Sequence, residues 1–180
     1  MSTVAFTRLI EAPADELWRV FTDLPARPRW LCTVDEVEVL TPAGVLPPGG
    51  FGAGTAWRES RTLPDGTALV EEFSVEEAAP PVRLIVTSSG DGVDYRTTYT
   101  FTAVKARRCR RGSTVVTVIQ EGVPTARYGR LLAVVFGGLA ARALEGALRR
   151  DLADLAAATE PRRVDPAVAG PPPPDRAATA

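Results

Sequence analysis

The sequence predicts an α+β fold in which an antiparallel sheet of about six to seven strands packs against one long C-terminal helix. Residues 34–121 carry one strand-like segment after another, separated by turns rich in glycine and proline. Strands that follow one another without intervening helices pair antiparallel. Residues 128–158 contain no proline and repeat leucine at three- and four-residue steps, which is typical of an amphipathic helix.

The chain is predicted to begin with a strand and two short helices. Residues 3–11 alternate apolar and polar side chains as a half-buried strand does. Pro13 suits the first position of a helix, and Leu17 and Phe21 form its apolar stripe. A second helical turn, bounded by prolines, reaches Trp30.

The other strands are separated by recognisable turn sequences. Pro-Asp-Gly at residues 64–66 and Gly-Asp-Gly at residues 90–92 are typical of hairpin connections. The predicted strands cover residues 34–40, 55–63, 67–77, 82–88, 93–104 and 113–121.

The long C-terminal helix changes character along its length. Its second half has an apolar stripe formed by Leu144, Leu148, Leu152 and Leu155. In the first half that direction carries small residues, including Gly137 and Ala141. Either the helix breaks at residues 137–138, or it continues and leaves a void that forms half of a ligand cavity. In the second case the opposite side would be free to form a homodimer through Leu132, Phe136 and Leu139.

Composition excludes several classes of function. The chain has 180 residues, a net charge of -1 and no histidine. These features argue against Ser-His-Asp catalysis and against a His-ligated metal site. We therefore expect no metal and no cofactor, and a net charge near zero gives no reason to expect nucleic acid as a partner.

Localisation and the chain end are predicted from local composition. The longest apolar stretch, residues 131–141, is too short to span a bilayer. Two cysteines without CxxC spacing suit a reduced, cytoplasmic protein. Residues 105–111 are strongly basic but lack interleaved aromatic residues, so they are read as a solvated loop tip. Residues 160–180, rich in proline and alanine, are predicted to be a disordered tail after a domain at residues 1–159.

The order and spacing of several short stretches resemble the START-like, Bet v 1-like (SRPBCC) superfamily and its polyketide cyclase/dehydrase group. The matching stretches are residues 10–13, 17–18, 30, 34–40, 54–59, 80–84 and 148–152. This resemblance implies a helix-grip fold, with a curved sheet wrapped around the C-terminal helix and a cavity between them. It also implies a hydrophobic small-molecule ligand such as a lipid, sterol or polyketide.

Strand alternation predicts which side chains line the interior. Trp57 is the large apolar anchor of its strand, so Glu59 and Arg61 are expected to face inward with it. The inward sets of the neighbouring strands follow by the same alternation. They are Leu69, Glu71, Phe73 and Val75 on one strand, and Val93, Tyr95, Thr97, Tyr99 and Phe101 on another.

Each of these residues has a functional and a structural interpretation. Arg61 and Glu59 are either a ligand-binding and proton-moving pair at the cavity wall or an ion pair that only neutralises two buried charges. Tyr95 and Tyr99 either contact ligand oxygens or belong to the core. Trp30 and Trp57 either cap the cavity or pack as ordinary core residues.

Two functions follow as hypotheses. The first is binding of a hydrophobic small molecule, aromatic, polyketide-like or lipid-like, in an internal cavity. Its expected ligand-binding residues are Trp30, Trp57, Glu59, Arg61, Phe73, Tyr95, Tyr99, Gly137 and Ala141. The alternative is a polyketide cyclase or aromatase that uses cavity carboxylate, arginine and tyrosine side chains, and the sequence leaves open whether the protein is an enzyme.

Overall fold

The computed structural model describes residues 2–41, 50–62, 66–90, 93–104, 112–124 and 129–160, with the side chains of residues 129–141 left out. The strands and helices follow one another in the predicted order. The strands are β1 (Ser2–Ile10), β2 (Glu36–Val39), β3 (Ala56–Thr62), β4 (Ala68–Ala79), β5 (Arg83–Gly90), β6 (Val93–Val104) and β7 (Ser113–Pro124). The helices are α1 (Ala14–Thr22), α2 (Arg27–Trp30) and α3 (Gly129–Thr159), with a 3-10 turn at Leu24–Ala26.

The strands form one seven-stranded antiparallel sheet in the order β1-β7-β6-β5-β4-β3-β2. Strands β2 to β7 follow one another as neighbours, and β1 closes against β7. The chain therefore places its first and second strands at opposite edges. The predicted α+β architecture with an antiparallel sheet is confirmed.

Alternation along β4 separates an inner from an outer face. Leu69 and Phe73 are half-buried and Val75 is buried, whereas Val70 between them is exposed. A bulge between Val75 and Glu77 interrupts the register with β5. The inner face is the one that the period of two predicts.

Helix α3 is a single helix of 31 residues. The predicted alternative of a break at residues 137–138 is therefore wrong, since helical backbone runs through both glycines. Leu148, Leu152 and Leu155 are buried, as the leucine stripe predicts. Among the described residues, α3 packs mainly against β1, β7, α1 and α2.

Helix α1 begins one residue later than predicted. Pro13 is extended (φ -70°, ψ 152°) and flanks the helix, and its carbonyl accepts the first helical hydrogen bond from the Leu17 N–H at 3.1 Å. Its ψ lies outside the helical range, so Pro13 is the capping residue and not the first helical residue. Leu17 and Phe21 are buried, as their spacing predicts.

Several predictions concern parts of the chain that lie outside the described residues. The basic segment 105–111 and residues 161–180 are among them. The same holds for the side chains of Leu132, Phe136 and Leu139. The homodimer face, the loop-tip interpretation and the domain boundary at residues 159–160 stay predictions.

Candidate functional site

The inner face of β3 carries the residues that its alternation predicts. Trp57 is 2% exposed and Glu59 is 0% exposed, and the side chain of Arg61 is 15% exposed. The inward face of β3, which was predicted from the single apolar residue Trp57, is therefore correct. This face also brings a carboxylate and a guanidinium into the interior.

Glu59 binds two arginines, one of which the sequence did not reveal. Its Oε2 lies 2.7 Å from Arg61 Nη2, and its Oε1 lies 2.8 Å from Arg27 Nε. Trp57 Nε1 also donates a hydrogen bond to Oε1 at 2.9 Å. Both carboxylate oxygens are thus engaged by cationic or N–H groups.

Arg27 is held in an aromatic cage. Its guanidinium carbon lies 5.1 Å from the ring centre of Phe21, 5.7 Å from that of Trp30 and 5.8 Å from that of Trp57. Only 8% of its side chain is exposed. The rings interact favourably with a desolvated cation at such distances, so α1, α2 and β3 are joined around one charge.

The environment of Glu59 keeps its carboxylate ionised. Burial raises its pKa, but the charges of Arg27 and Arg61 and the hydrogen bonds from Trp57 and Arg61 more than offset burial and lower the pKa below its usual value. A carboxylate with both oxygens engaged and a lowered pKa is poorly placed to move a proton at neutral pH. This geometry favours the ion-pair interpretation of Glu59.

Asp151 on α3 is a second inner carboxylate, and its pKa is shifted in the opposite direction to that of Glu59. Its Oδ2 lies 3.8 Å from Arg61 Nη1, and its buried Oδ1 has no hydrogen-bond partner among the described residues. Burial raises the pKa of Asp151 above its usual value despite the charges of Arg61 and Arg27. Arg61 is better compensated: although burial disfavours its charge, Glu59 and Asp151 raise its pKa, and its Nη1 donates to Thr33 Oγ1 at 3.1 Å.

A small cavity lies beside the cluster formed by Arg27, Glu59, Arg61 and Asp151. Its volume is about 10 Å³, room for roughly one water molecule. The lining residues come from α1, α2, β6, β7 and α3. They are Phe21, Arg27, Trp30, Leu31, Tyr99, Val118, Leu148, Asp151 and Leu152.

The two predicted tyrosines have different surroundings. Tyr99 lines the cavity, packs its ring 4.7 Å from that of Phe21, and has its pKa raised to about 12 by burial. Tyr95 on β6 is paired with Gly122 on the neighbouring strand β7. Tyr95 Cε1 approaches so closely that a Cβ on Gly122 would lie 3.3 Å from it. Tyr99 is thus next to the cavity, and Tyr95 is farther along the same face of β6.

The inner face of β3 to β6 also carries half-buried apolar side chains. Phe73 stacks on Trp57 with ring centres 5.2 Å apart and planes inclined by 17°. Leu69, Val93 and Tyr95 are likewise only half-buried. Among the described residues this part of the face is not packed as densely as the core below it.

The structure brings most of the predicted site residues together. Trp57, Glu59 and Arg61 meet directly, and Phe73 joins them through its stack on Trp57. Trp30 and Tyr99 line the small cavity. Gly137 and Ala141 lie on α3. The side chains of this part of α3 are not among those described, so the predicted void beneath these two residues stays a prediction.

Arg27 and Asp151 were missed for different reasons. Nothing in the residues around Arg27 indicates burial, because its cage forms only when α2 packs over β3. Asp151 carried a signal that was not used in the prediction: at about 100° per residue it lies beside the stripe of Leu148 and Leu152, so helix geometry would have placed this carboxylate on the buried side of α3.

The described part of the chain contains neither a metal-binding cluster nor a membrane-spanning helix. Its carboxylates and cysteine form no cluster able to hold a metal ion. None of its helices combines the length and apolar character needed to cross a membrane.

A family model described as polyketide cyclase / dehydrase and lipid transport matches residues 1–160. The chain belongs to this family. Membership in the polyketide cyclase/dehydrase and lipid transport family identifies the sheet and C-terminal helix as a fold for binding hydrophobic ligands. No curated protein matches the chain significantly.

Solved structures share the family fold at low sequence identity. A Chromobacterium violaceum protein is 22% identical with a TM-score of 0.59, covering 89% of this chain and 99% of its own. A START superfamily protein from Mycobacterium smegmatis is 17% identical with a TM-score of 0.54, covering 82% of this chain and 97% of its own. The di-domain ARO/CYC StfQ from the steffimycin biosynthetic pathway is 14% identical with a TM-score of 0.68. That match covers 88% of this chain and 51% of the ARO/CYC chain, so this chain corresponds to about half of it.

Proposed function

We propose that this protein binds a hydrophobic small molecule, aromatic, polyketide-like or lipid-like, against the inner face of β3 to β6. The observation that carries the proposal is the set of inward apolar side chains that remain half-buried. Leu69, Phe73 and Tyr95 all face inward, yet none is fully covered by the described residues. A ligand that covered these side chains would gain the free energy of burying apolar surface.

The position of this face supports the proposal. Among the described residues α3 packs mainly against β1, β7, α1 and α2, and much less against β3 to β6. The Trp57–Phe73 stack gives the face a flat aromatic surface. The small cavity of about 10 Å³ is far too small for such a ligand, so the ligand body belongs on the half-buried face.

A second candidate, a cyclase or aromatase type of enzyme, is favoured by Asp151. Its pKa is raised and it faces the cavity beside Arg61, which suits proton transfer better than the fully paired Glu59 does. Family membership is compatible with both candidates. They differ in whether the ligand leaves the protein chemically changed.

Binding is tested by titrating the full chain with a panel of aromatic, polyketide-like and fatty-acyl compounds and recording tryptophan fluorescence. Trp57 is buried and stacks on Phe73 of the proposed surface, so a ligand that contacts Phe73 is expected to change its emission. Phe73→Ala should weaken binding roughly tenfold, because a large apolar contact is lost. Mass spectrometry of recovered ligand separates the candidates: an unchanged ligand supports binding alone, and a dehydrated or cyclised product supports the enzyme.

Val70→Ala is the matched control. Val70 lies on the same strand but on the opposite face and is 56% exposed. This variant should bind as the wild type does. Equal losses in Val70→Ala and Phe73→Ala, or a panel without any binding, would contradict the proposal.

A further inference from the structure

Three lining residues of the small cavity carry a buried polar atom without a hydrogen-bond partner among the described residues, and one of these atoms, Arg27 Nε, lies 2.8 Å from the Glu59 carboxylate as an ion pair. The other two atoms are Asp151 Oδ1 and Trp30 Nε1. One is an acceptor and the other is a donor only. Leaving such groups buried and unpaired costs about 1–3 kcal/mol each, so a partner that satisfies both is strongly favoured.

A hydroxyl group is the chemical group that matches this pair. It donates one hydrogen bond and accepts others, and one oxygen fits a space of about 10 Å³. A methyl group satisfies neither atom. A carboxylate has no hydrogen to give to Asp151 and would place a second negative charge beside it.

The surrounding charges also favour a neutral group. Arg27 and Arg61 face Glu59 and Asp151, two cations against two carboxylates. The guanidinium of Arg27 is already engaged by Glu59 and three aromatic rings. Among the described residues of this cluster the two cations are balanced by two carboxylates, so an anionic ligand would add an excess negative charge, although Arg27 Nε and Arg61 Nε have no hydrogen-bond partner.

We propose that this cavity binds the hydroxyl end of the ligand, which donates its hydrogen to Asp151 Oδ1 and accepts a hydrogen bond from Trp30 Nε1. The inference rests on the proposed function and deepens it: the preferred ligand is a neutral alcohol or phenol. Tyr99 lines the cavity and lies on the same face of β6 as Tyr95. The apolar body of the ligand therefore extends from the cavity toward Tyr95 and Phe73.

Three probes of similar shape test the inference: 2-naphthol, 2-methylnaphthalene and 2-naphthoate. Affinities are measured by isothermal titration calorimetry with the full chain at neutral pH. The wild type should bind 2-naphthol roughly tenfold or more tighter than either analogue, since two hydrogen bonds to otherwise unpaired buried groups together contribute about this factor. Asp151→Leu should reduce that preference to within about twofold.

Trp30→Phe provides a second variant that keeps the aromatic ring and removes only Nε1. It should lower the preference for 2-naphthol severalfold, and it keeps the inference testable if Asp151→Leu does not fold. The matched controls are Trp18→Phe and Glu145→Gln. Trp18 packs on Phe101 away from the cavity, and Glu145 forms a surface pair on α3, so both should retain the wild-type preference.

The outcomes separate this inference from the proposed function. Equal affinity of the wild type for 2-naphthol and 2-methylnaphthalene overturns the hydroxyl site and leaves hydrophobic binding intact. Tightest binding of 2-naphthoate, or a preference that survives in both site variants, also overturns it. Binding of none of the three probes overturns the hydroxyl site, and if the wider panel is silent as well, the proposed function fails with it.

Discussion

At the scale of single residues, the two inner carboxylates have opposite energetic roles. Glu59 is paired on both oxygens and has a lowered pKa. Asp151 keeps one buried oxygen unpaired and has a raised pKa. The ionised form of Glu59 therefore favours the native state, whereas the ionised form of Asp151 opposes it.

This contrast predicts opposite effects of neutralising the two carboxylates. Glu59→Gln should lower the free energy of unfolding at pH 7 by about 3–5 kcal/mol, because it leaves the buried Arg27 without a carboxylate partner and Arg61 with Asp151 alone. Asp151→Asn should raise the free energy of unfolding at pH 7 by a smaller amount. Urea denaturation at a series of pH values measures both.

The pH dependence has a definite sign for each variant. The native pKa of Glu59 is lowered, so its stabilisation is present above the ordinary carboxyl range and is lost as the pH falls through the native pKa. The native pKa of Asp151 is raised, so its contribution is full below the ordinary aspartate pKa of about 4 and is lost as the pH rises through the native pKa. The Glu59→Gln difference should therefore shrink as the pH falls below the ordinary carboxyl range, whereas the Asp151→Asn difference should already have shrunk when the pH has fallen to about 4. The control is Glu72→Gln on the exposed outer face, which should change the free energy of unfolding at pH 7 by less than about 1 kcal/mol, because an exposed ion pair contributes little.

Residue identities allowed part of the site to be predicted. The period of two and the apolar anchor Trp57 were sufficient to place Glu59 and Arg61 inside. The partner Arg27 was not predictable, because its burial depends on where α2 lies relative to β3. Asp151 was predictable in principle, since it interrupts the leucine stripe of α3 with a carboxylate.

At the scale of elements, two glycines show how β7 and α3 differ. Gly122 on β7 lies so close to its neighbours that an added Cβ would be 3.2 Å from Ser2 Oγ and 3.3 Å from Tyr95 Cε1. Gly146 on α3 is exposed, and nothing lies within 4 Å of the corresponding position. Gly122 makes room for the side chain of Tyr95 on the inner face, whereas Gly146 only lowers the stability of α3.

Alanine substitutions at these glycines should therefore change stability in opposite directions. Gly146→Ala should raise the free energy of unfolding by about 0.5–1 kcal/mol, because alanine loses less backbone entropy in a helix. Gly122→Ala should lower it by about 1 kcal/mol, because Tyr95 and Ser2 must shift. Chemical denaturation curves measure both values. An unchanged stability of Gly122→Ala would mean that Tyr95 does not depend on the space that Gly122 provides.

Element boundaries were predicted well where turn residues are unambiguous. The hairpin between β5 and β6 contains two glycines, and its strands begin and end close to the predicted positions. The extent of β4 was predicted too short, because the bulge after Val75 lets the strand continue to Ala79. A bulge depends on pairing with the neighbouring strand and leaves little trace in the strand's own sequence.

At the scale of the whole molecule, the end of α3 is tied to the beginning of the chain. The backbone N–H of Glu11 donates a hydrogen bond to Glu160 Oε1 at 3.1 Å. Cys32 N–H donates to Asp154 Oδ2 at 2.9 Å. These contacts join the C-terminal turn of α3 to the segments that follow β1 and α2.

The predicted domain boundary can be tested by truncation. A chain ending at Glu160 should unfold with the same free energy as the full chain, within about 0.5 kcal/mol, because the removed segment is too poor in large apolar residues to contribute to a core. A chain ending at residue 158 also loses the contacts of Thr159 and Glu160. It should lose about 1 kcal/mol or more. Thermal and urea unfolding of the three chains would show whether residues 161–180 contribute to stability.

The separation between the densely packed and the half-buried parts of the inner face has an evolutionary consequence. The core around α1, β1, β7 and the end of α3 carries most of the buried side chains, whereas Leu69, Phe73 and Tyr95 contribute less to it. If the proposed ligand binds there, substitutions at these three positions should therefore alter ligand preference at little cost in folding. A scaffold with this division is evolvable, and laboratory selection for a new ligand should accumulate its first successful changes there.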